Sequence, residues 1–318
     1  MATAAQLHPH QSVRPAISTL DITVLLGGPG EEREVSLNSG RAVASALRRC
    51  GHRVTTSDIS PDDLSALGRS ADLVFIALHG TFGEDGQLQA ILEERRIPYV
   101  GSNAAASRLA MDKAASKRRF TDCGIPTPAY KLVHAAQINQ AVNCWTLPTV
   151  IKPVDQGSSV DMMIARDAFG FQSALEGVVR KYGSCLIEEY IKGPELTVGI
   201  LGDDALPVCE IRTPREFYDY KAKYIENTTE YLFDLDLPES LLSEVQGLSL
   251  EAHRALGCSD FSRVDWMVDE ASGRPYVLEL NTIPGFTDHS LLPKAAERVG
   301  INFDQLCQRI IEMAMARA

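Results

Sequence analysis

The chain has 318 residues, long enough for two or three domains with cores of their own. Its apolar share of 45% is that of an ordinary globular protein, and a formal net charge of −11 argues against non-specific nucleic-acid binding, though not against a phosphorylated small ligand that needs only a local basic pocket. No apolar run approaches the length of a membrane span. The seven cysteines show no CxxC spacing and follow no secretory leader, so they read as reduced thiols in a cytosolic protein.

Residues 1–20 hold two prolines and two histidines, lack apolar periodicity, and read as a flexible tail; a metal on His8 and His10 is the lesser alternative. Asp21–Leu26 is a buried strand that runs into the loop Gly27-Gly28-Pro29-Gly30. A helix follows, with apolar residues at Val35, Ala42, Val43, Ala46 and Leu47, and Gly51 stops it. Strand, glycine loop and helix open a doubly wound α/β unit. The loop is not GxGxxG, and Glu31, Glu32 and Glu34 make a poor seat for a pyrophosphate, which counts against a nicotinamide dehydrogenase. Those glutamates either favour the helix dipole or include one that faces a cationic ligand such as an amine.

Asp72–Leu78 is the next strand, and the loop His79–Gly86 sits at its carboxyl end, where α/β folds bind ligands. His79 there either orients a substrate or is structural. Leu88–Glu94 reads as a helix and Ile97–Val100 as a short strand closing the first domain. Ala104–Asp122 reads as one helix whose Lys113, Lys117, Arg118 and Arg119 form a solvated basic face, ended by Pro126 and Pro128.

Leu147–Lys152 is a strand ending in lysine, followed by Gln156-Gly157-Ser158-Ser159-Val160. A lysine beside a Gly-Ser-Ser loop suits a phosphate clamp, although P-loop spacing is absent. Residues 169–182 form a helix, and Cys185–Tyr190 and Leu196–Leu201 are strands. An edge strand of the first type can offer backbone groups to a purine and a carboxylate to a ribose hydroxyl. Phe217–Tyr224 reads as a loop, with Lys223 and Tyr224 as candidates carried by a lid. Leu241–Leu256 and the segment from Phe303 onward are amphipathic helices.

The most informative stretch is Phe261–Ser290. Arg263–Val268 and Pro275–Leu280 alternate with period two and flank a turn, so they read as a hairpin. With Asp269 facing Pro275, Asp265 stands opposite Glu279 and Arg263 opposite Asn281. These four share one face, while Val264, Trp266, Leu278 and Leu280 fill the other. Two facing carboxylates repel unless a counter-charge is present. Arg263 supplies part of it, and a hard divalent cation such as Mg²⁺, sharing its shell with phosphate oxygens, suits Asp265, Glu279 and Asn281 better.

The motifs ERxVSLNSG, ALHGxxGEDG, MDK, IKP followed by GSS, GPE, FYDYxAKY, RVD, LELNTIPG and TxHS occur in this order from about residue 21 onward. Together they resemble the D-alanine–D-alanine ligase family of the ATP-grasp superfamily. The resemblance implies an α/β chain: a doubly wound parallel-sheet domain over 21–120, then a two-lobed α+β ATP-grasp part over 121–208 and 209–318. It implies activation of one D-alanine by ATP as an acyl phosphate, attack by the amine of a second, and a place in peptidoglycan precursor synthesis. Glu32 matches the carboxylate that holds the first ammonium, and Glu32, Ser158 and Tyr224 match a set that closes the lid. His79 matches a contact near the first carboxylate, and Ser290 one to the second. Lys113, Lys152 and Lys223 match phosphate contacts. Glu188 and Ile191 match the adenine border, and Glu195 the ribose contact. Asp265, Glu279 and Asn281 match ligands of two Mg²⁺, for which Mn²⁺ substitutes. Arg263 and the Gly285 amide match oxyanion contacts. A cytoplasmic homodimer acting on D-alanine, with no nucleic-acid or membrane partner, completes the expectation.

Three positions depart from the family pattern. Asp161 stands where glycine is usual, beside Asp155, and is expected near the phosphates, where it would weaken ATP binding. Lys221 replaces an acid in the lid, and Ile283 a small polar residue. The rivals are a ligase making D-alanyl-D-lactate or joining another D-amino acid, and a nucleotide binder that no longer catalyses. The Ala222-Lys223-Tyr224 lid resembles the dipeptide-forming type.

Overall fold

The computed structural model describes residues 18–214 and 228–318. Lys221, Lys223, Tyr224 and the expected lid Phe217–Tyr224 lie outside the described residues, as do His8 and His10. Three sheets make up the described structure.

The first sheet contains β1 (Asp21–Leu26), β2 (Arg53–Asp58) and β3 (Leu73–Ile76), all parallel, in the order β2-β1-β3. β1 and β3 are unbroken apolar runs because both of their faces are covered. The helix Arg33–Arg49 covers one face, joined by the chain's last helix, Phe303–Arg317; Val24, Leu47, Phe75, Leu306 and Ile310 share that core. Leu88 and Leu92 of the helix Gln87–Glu94 cover the other, with Leu25, Ile76 and Ile283. The doubly wound expectation therefore holds, and Ile283, which replaces a small polar residue, packs among apolar neighbours. β2 reads RVTTSD and is half exposed at the sheet edge, so it carries no apolar run by which sequence could find it. Ile97–Val100 is not a strand: Tyr99 makes one parallel bridge with Val74, and Pro98, lacking an N–H, cannot extend the ladder.

The expected helix Ala104–Asp122 is two helices, Ala104–Met111 and Lys113–Asp122. Asp112 leaves the helical conformation between them and accepts a hydrogen bond from the Ala115 amide at 2.9 Å, capping the second helix. Apolar periodicity continues across the break, so only the cap marks it.

The second sheet contains β4 (Tyr130–His134), β5 (Thr149–Lys152), β6 (Met163–Ala165) and β7 (Ser184–Glu189), in the antiparallel order β4-β7-β5-β6. Phe171, Leu175 and Val179 of the helix Ala168–Tyr182 fill its back. β7 is internal, which corrects the edge-strand reading: Glu188 pairs with both Tyr130 and Val150. The strand's neighbours use the backbone that an edge would have offered.

The third sheet contains β8 (Glu195–Leu201), β9 (Asp204–Ala205), β10 (Cys209–Arg212), β11 (Glu230–Leu232), β12 (Phe261–Val268) and β13 (Pro275–Asn281). Its order is β11-β10-β8-β12-β13, with β9 beside β8. The helix Glu239–Ala255 packs on it, and buried Trp266 donates to Ser249 Oγ at 2.9 Å. The β12–β13 hairpin pairs Arg263 with Asn281 and Asp265 with Glu279, as expected. The turn end differs. A bulge follows Asp265, so Trp266 faces Val277 and Val268, not Asp269, faces Pro275. Val277 takes the core position expected for Leu278, and Leu278 turns to the Glu279 side.

Candidate nucleotide and substrate site

Two adjoining cavities hold every described residue that the sequence nominated. The first, about 350 Å³, lies between the second and third sheets and is lined by Lys113, Lys152, Glu188, Ile191, Glu195, Asp265 and Glu279. The second, about 410 Å³, faces the first sheet and is lined by Glu32, His79, Ser158, Arg263, Asn281, Gly285 and Ser290. Two walls are common to both. The β12–β13 hairpin puts Asp265 and Glu279 in the first and Arg263 and Asn281, one pleat further on, in the second. The Gln156–Val160 loop puts Ser159 in the first and Ser158 in the second.

Charge compensation on the hairpin is complete without a ligand. Arg263 grips Asp265 with both arms, Nε to Oδ1 at 2.9 Å and Nη2 to Oδ2 at 2.7 Å. Thr197 Oγ1 donates to Asp265 Oδ1 at 2.6 Å, and Asn281 Nδ2 to Oδ2 at 3.1 Å. Lys113 Nζ stands 3.4 Å from Glu279 and donates to the Gln156 carbonyl at 2.7 Å. The donor set suits Mg²⁺: two carboxylates face each other, and a half-turn of the Asn281 amide would add its oxygen. Among the described residues no group of three or more His, Cys, Asp or Glu side chains closes round one point. A cation here would thus complete its shell from phosphate and water, as Mg²⁺ commonly does.

At the base of the first cavity, buried Glu188 meets Lys152 at 2.9 Å and Lys117 at 3.2 Å. Burial alone would raise the Glu188 carboxyl, but Lys117 and Lys152 outweigh it and hold it below the usual range. Burial pushes the Lys117 ammonium down to about 8, with Glu188 resisting. The solvated basic face is therefore wrong for Lys113 and Lys117, both of which are buried. Lys117 lies one helical turn after Lys113, so the spacing puts both on one helix face, but a pair of lysines on one face carries no sign of burial in the sequence. Met267 and Leu278 supply the apolar lining. Sequence reasoning missed Met267, and it assigned Leu278 to the core because the bulge has no sequence signature there.

In the second cavity, Ser158 Oγ donates to Glu32 Oε1 at 2.5 Å, tying the loop to the start of the helix Arg33–Arg49. His79 is buried, with Nε2 3.0 Å from Ser39 Oγ and Nδ1 3.0 Å from the Ile283 carbonyl. Glu84 lies 3.5 Å from Nδ1 and accepts from the Gly80 amide at 3.0 Å. Burial alone would depress the His79 imidazole, but Glu84 and Glu32, with the Ile283 carbonyl, more than offset it and raise its pKa above the ordinary value. Ser39 and Glu84 belong to motifs already quoted, yet alone they carry no signal. Thr287 N and Oγ1 meet Ser290 Oγ at 3.0 and 2.9 Å, and a Cβ on Gly285 would fall 2.9 Å from that oxygen, so the chain packs too closely there for a side chain.

Asp161 adopts φ 53°, a conformation that favours glycine, and is held there by Lys181 Nζ and Tyr182 Oη, each at 2.6 Å. Ser159, Val160 and Met162 line the first cavity while Asp161 turns to the helix Ala168–Tyr182, which answers the expectation that its charge lies among the phosphates.

Two sheets closing on a cavity with lysines on one side and carboxylates on the other have the architecture of the ATP-grasp superfamily. Residues 57–102 match the family pattern described as the D-ala D-ala ligase N-terminus, and residues 120–312 that described as the C-terminus. A D-alanine–D-alanine ligase of Syntrophotalea carbinolica is 42% identical, over 96% of this chain and 99% of the relative. One from Citrifermentans bemidjiense is 45% identical over 92% and 95%. A crystal structure of the Bacillus anthracis enzyme complexed with ATP superposes with a TM-score of 0.83 at 36% identity, covering 95% of this chain and 98% of that one. The VanG D-Ala:D-Ser ligase of Enterococcus faecalis also gives 0.83, at 28% identity over 93% and 100%. The chain belongs to the D-alanine–D-alanine ligase family.

Proposed function

We propose that the chain joins two D-alanines into D-alanyl-D-alanine, consuming ATP and releasing ADP and phosphate, for peptidoglycan precursor synthesis. The observation that carries this reading is the hairpin crossing from one cavity to the other. It offers oxygen ligands on the nucleotide side and a guanidinium on the amino-acid side. ATP sits in the first cavity, with the adenine against Glu188 and Ile191, the ribose on Glu195, and Lys113 and Lys152 on the phosphates. Lys223 is assigned to the phosphates as well. Asp265, Glu279 and Asn281 would hold two Mg²⁺ ions, replaceable by Mn²⁺, which would neutralise phosphate charge.

The first D-alanine lies in the second cavity, its ammonium on Glu32 and its carboxylate near His79. That carboxylate attacks the γ-phosphorus and ADP leaves, giving D-alanyl phosphate. The amine of the second D-alanine, whose carboxylate rests near Ser290, then attacks the carbonyl carbon. Arg263 and the Gly285 amide face the oxyanion, and phosphate departs as the carbonyl re-forms. The Ser158–Glu32 contact, with Tyr224, keeps water from the acyl phosphate. We divide the chain into a tail (1–20), a first domain (21–120), a central lobe (121–208) and a C-terminal lobe (209–318), acting as a cytoplasmic homodimer. Among the described residues no helix is long and apolar enough to cross a membrane.

The test is phosphate release with ATP, Mg²⁺ and D-alanine, repeated with D-lactate and D-serine as second substrates. D-alanine-dependent release with dipeptide product is expected. ATP binding without release would instead support the silent binder, and release only with D-lactate or D-serine the alternative ligases.

A further inference from the structure

We propose that Lys117 is a positioning residue for nucleotide binding: it remains on Glu188 as the standing counter-ion when Lys152 leaves that carboxylate for a phosphate oxygen. The inference rests on reading the first cavity as the nucleotide site.

Glu188 is 2% exposed and carries two ammonium partners where one would balance it. The two lysines differ in reach. Lys152 borders the cavity, at the end of β5, on a flexible four-carbon stem. Lys117 has no exposed surface. Its Nζ donates to Thr127 Oγ1 at 2.8 Å, and that hydroxyl donates onward to the Val277 carbonyl at 2.8 Å. The Tyr130 ring lies 6.0 Å away on another side. Lys117 is therefore fixed behind the cavity and cannot follow a ligand, whereas Lys152 can.

The physical need follows from burial. A buried carboxylate stripped of its only cation is strongly disfavoured. If Lys152 were alone on Glu188, binding a phosphate would strand that charge, and the phosphate would compete against its own site. With Lys117 in place, Lys152 is a spare cation, and Glu188 keeps a partner and a fixed orientation while its cavity-facing side meets the base. The competing role for Lys117 is structural, pinning the helix Lys113–Asp122 to the second sheet and, through Thr127, to β13, and that role makes no distinction between ligands.

The experiment is calorimetric titration of the full chain, in Mg²⁺ buffer, with adenosine and with ADP. Lys117→Met is expected to weaken ADP at least about tenfold while changing adenosine by no more than about twofold. Adding Glu188→Gln removes the charge that needs the counter-ion. The ADP-to-adenosine affinity ratio of Lys117→Met/Glu188→Gln should therefore equal that of Glu188→Gln alone. This second comparison stands even if Lys117→Met does not fold. Equal weakening of both ligands by Lys117→Met, or a further loss of the ratio in the double variant, overturns the inference. A wild-type chain that binds neither ligand overturns the nucleotide reading and this inference with it, while an unchanged ratio overturns this one alone.

Discussion

Replacing Arg263 by alanine acts twice. The Arg263 and Asp265 side chains are 12% and 8% exposed, and their two hydrogen bonds are short and parallel. Removing one partner of such a pair costs about 3–5 kcal/mol. Thr197 and Asn281 still bond to Asp265, and water can enter where the guanidinium lay, so the lower end, about 3 kcal/mol, is expected. In a protein of this size that is a fall in Tm of about 6 °C or more, at about 2 °C per kcal/mol. Turnover should drop about a hundredfold or more through loss of the oxyanion contact, with ATP affinity nearly intact. Scanning calorimetry and phosphate release measure the two effects. Adding Mg·ADP separates them further: with nucleotide affinity nearly intact, variant and wild type should gain about the same stability from it. An Arg263→Ala enzyme with normal turnover, or one whose Tm is unmoved, would refute the account of the hairpin.

Ser158→Ala removes a charge-assisted bond to Glu32 worth about 1.5–3 kcal/mol, so kcat/KM for D-alanine should fall roughly 10- to 100-fold; a change within twofold would count against the closing role. His79 has a raised folded-state pKa, so its charged form adds stability that is complete below 6.5 and is lost as pH climbs through that raised value. The Tm advantage of wild type over His79→Gln should therefore shrink on the alkaline side, and an advantage that grows there contradicts the assignment. Asp161→Gly relieves about 1 kcal/mol of left-handed strain and loses two largely exposed bonds, so Tm should shift little. Amide exchange at Val160 and Met162 should nonetheless quicken, because the loop loses its anchor on the helix Ala168–Tyr182; unchanged exchange would remove Asp161 from that role.

What sequence shows best here is what repeats with a fixed period. β1, β3 and the far end of the hairpin announce themselves because alternation or an unbroken apolar run leaves few other readings. Alternation puts Asp265 and Glu279 on one face, since a slip of one residue would turn every side chain over, while their pairing also takes a register at the turn that is one residue off and that the bulge makes good. What sequence hides is local and non-periodic. Asp112 interrupts a helix with a cap inside an otherwise continuous pattern, β2 carries threonines and charges at a sheet edge, and the extra residue at Leu278 is silent. Lys117 is illegible for a different reason: a lysine reads as solvated unless its buried carboxylate partner is in view, and Glu188 lies far away in sequence.

The extra residue in β13 has a consequence for how one ribbon serves a long ligand. In a regular strand, neighbours point to opposite sides, so a greasy contact and an ionic one cannot follow each other into the same compartment. Here Leu278 and Glu279 both look the same way, about 3.3 Å apart along the backbone. The wall changes from oil-like to salt-like within a single step, and a molecule that is itself apolar at one end and anionic at the other is held in one direction only.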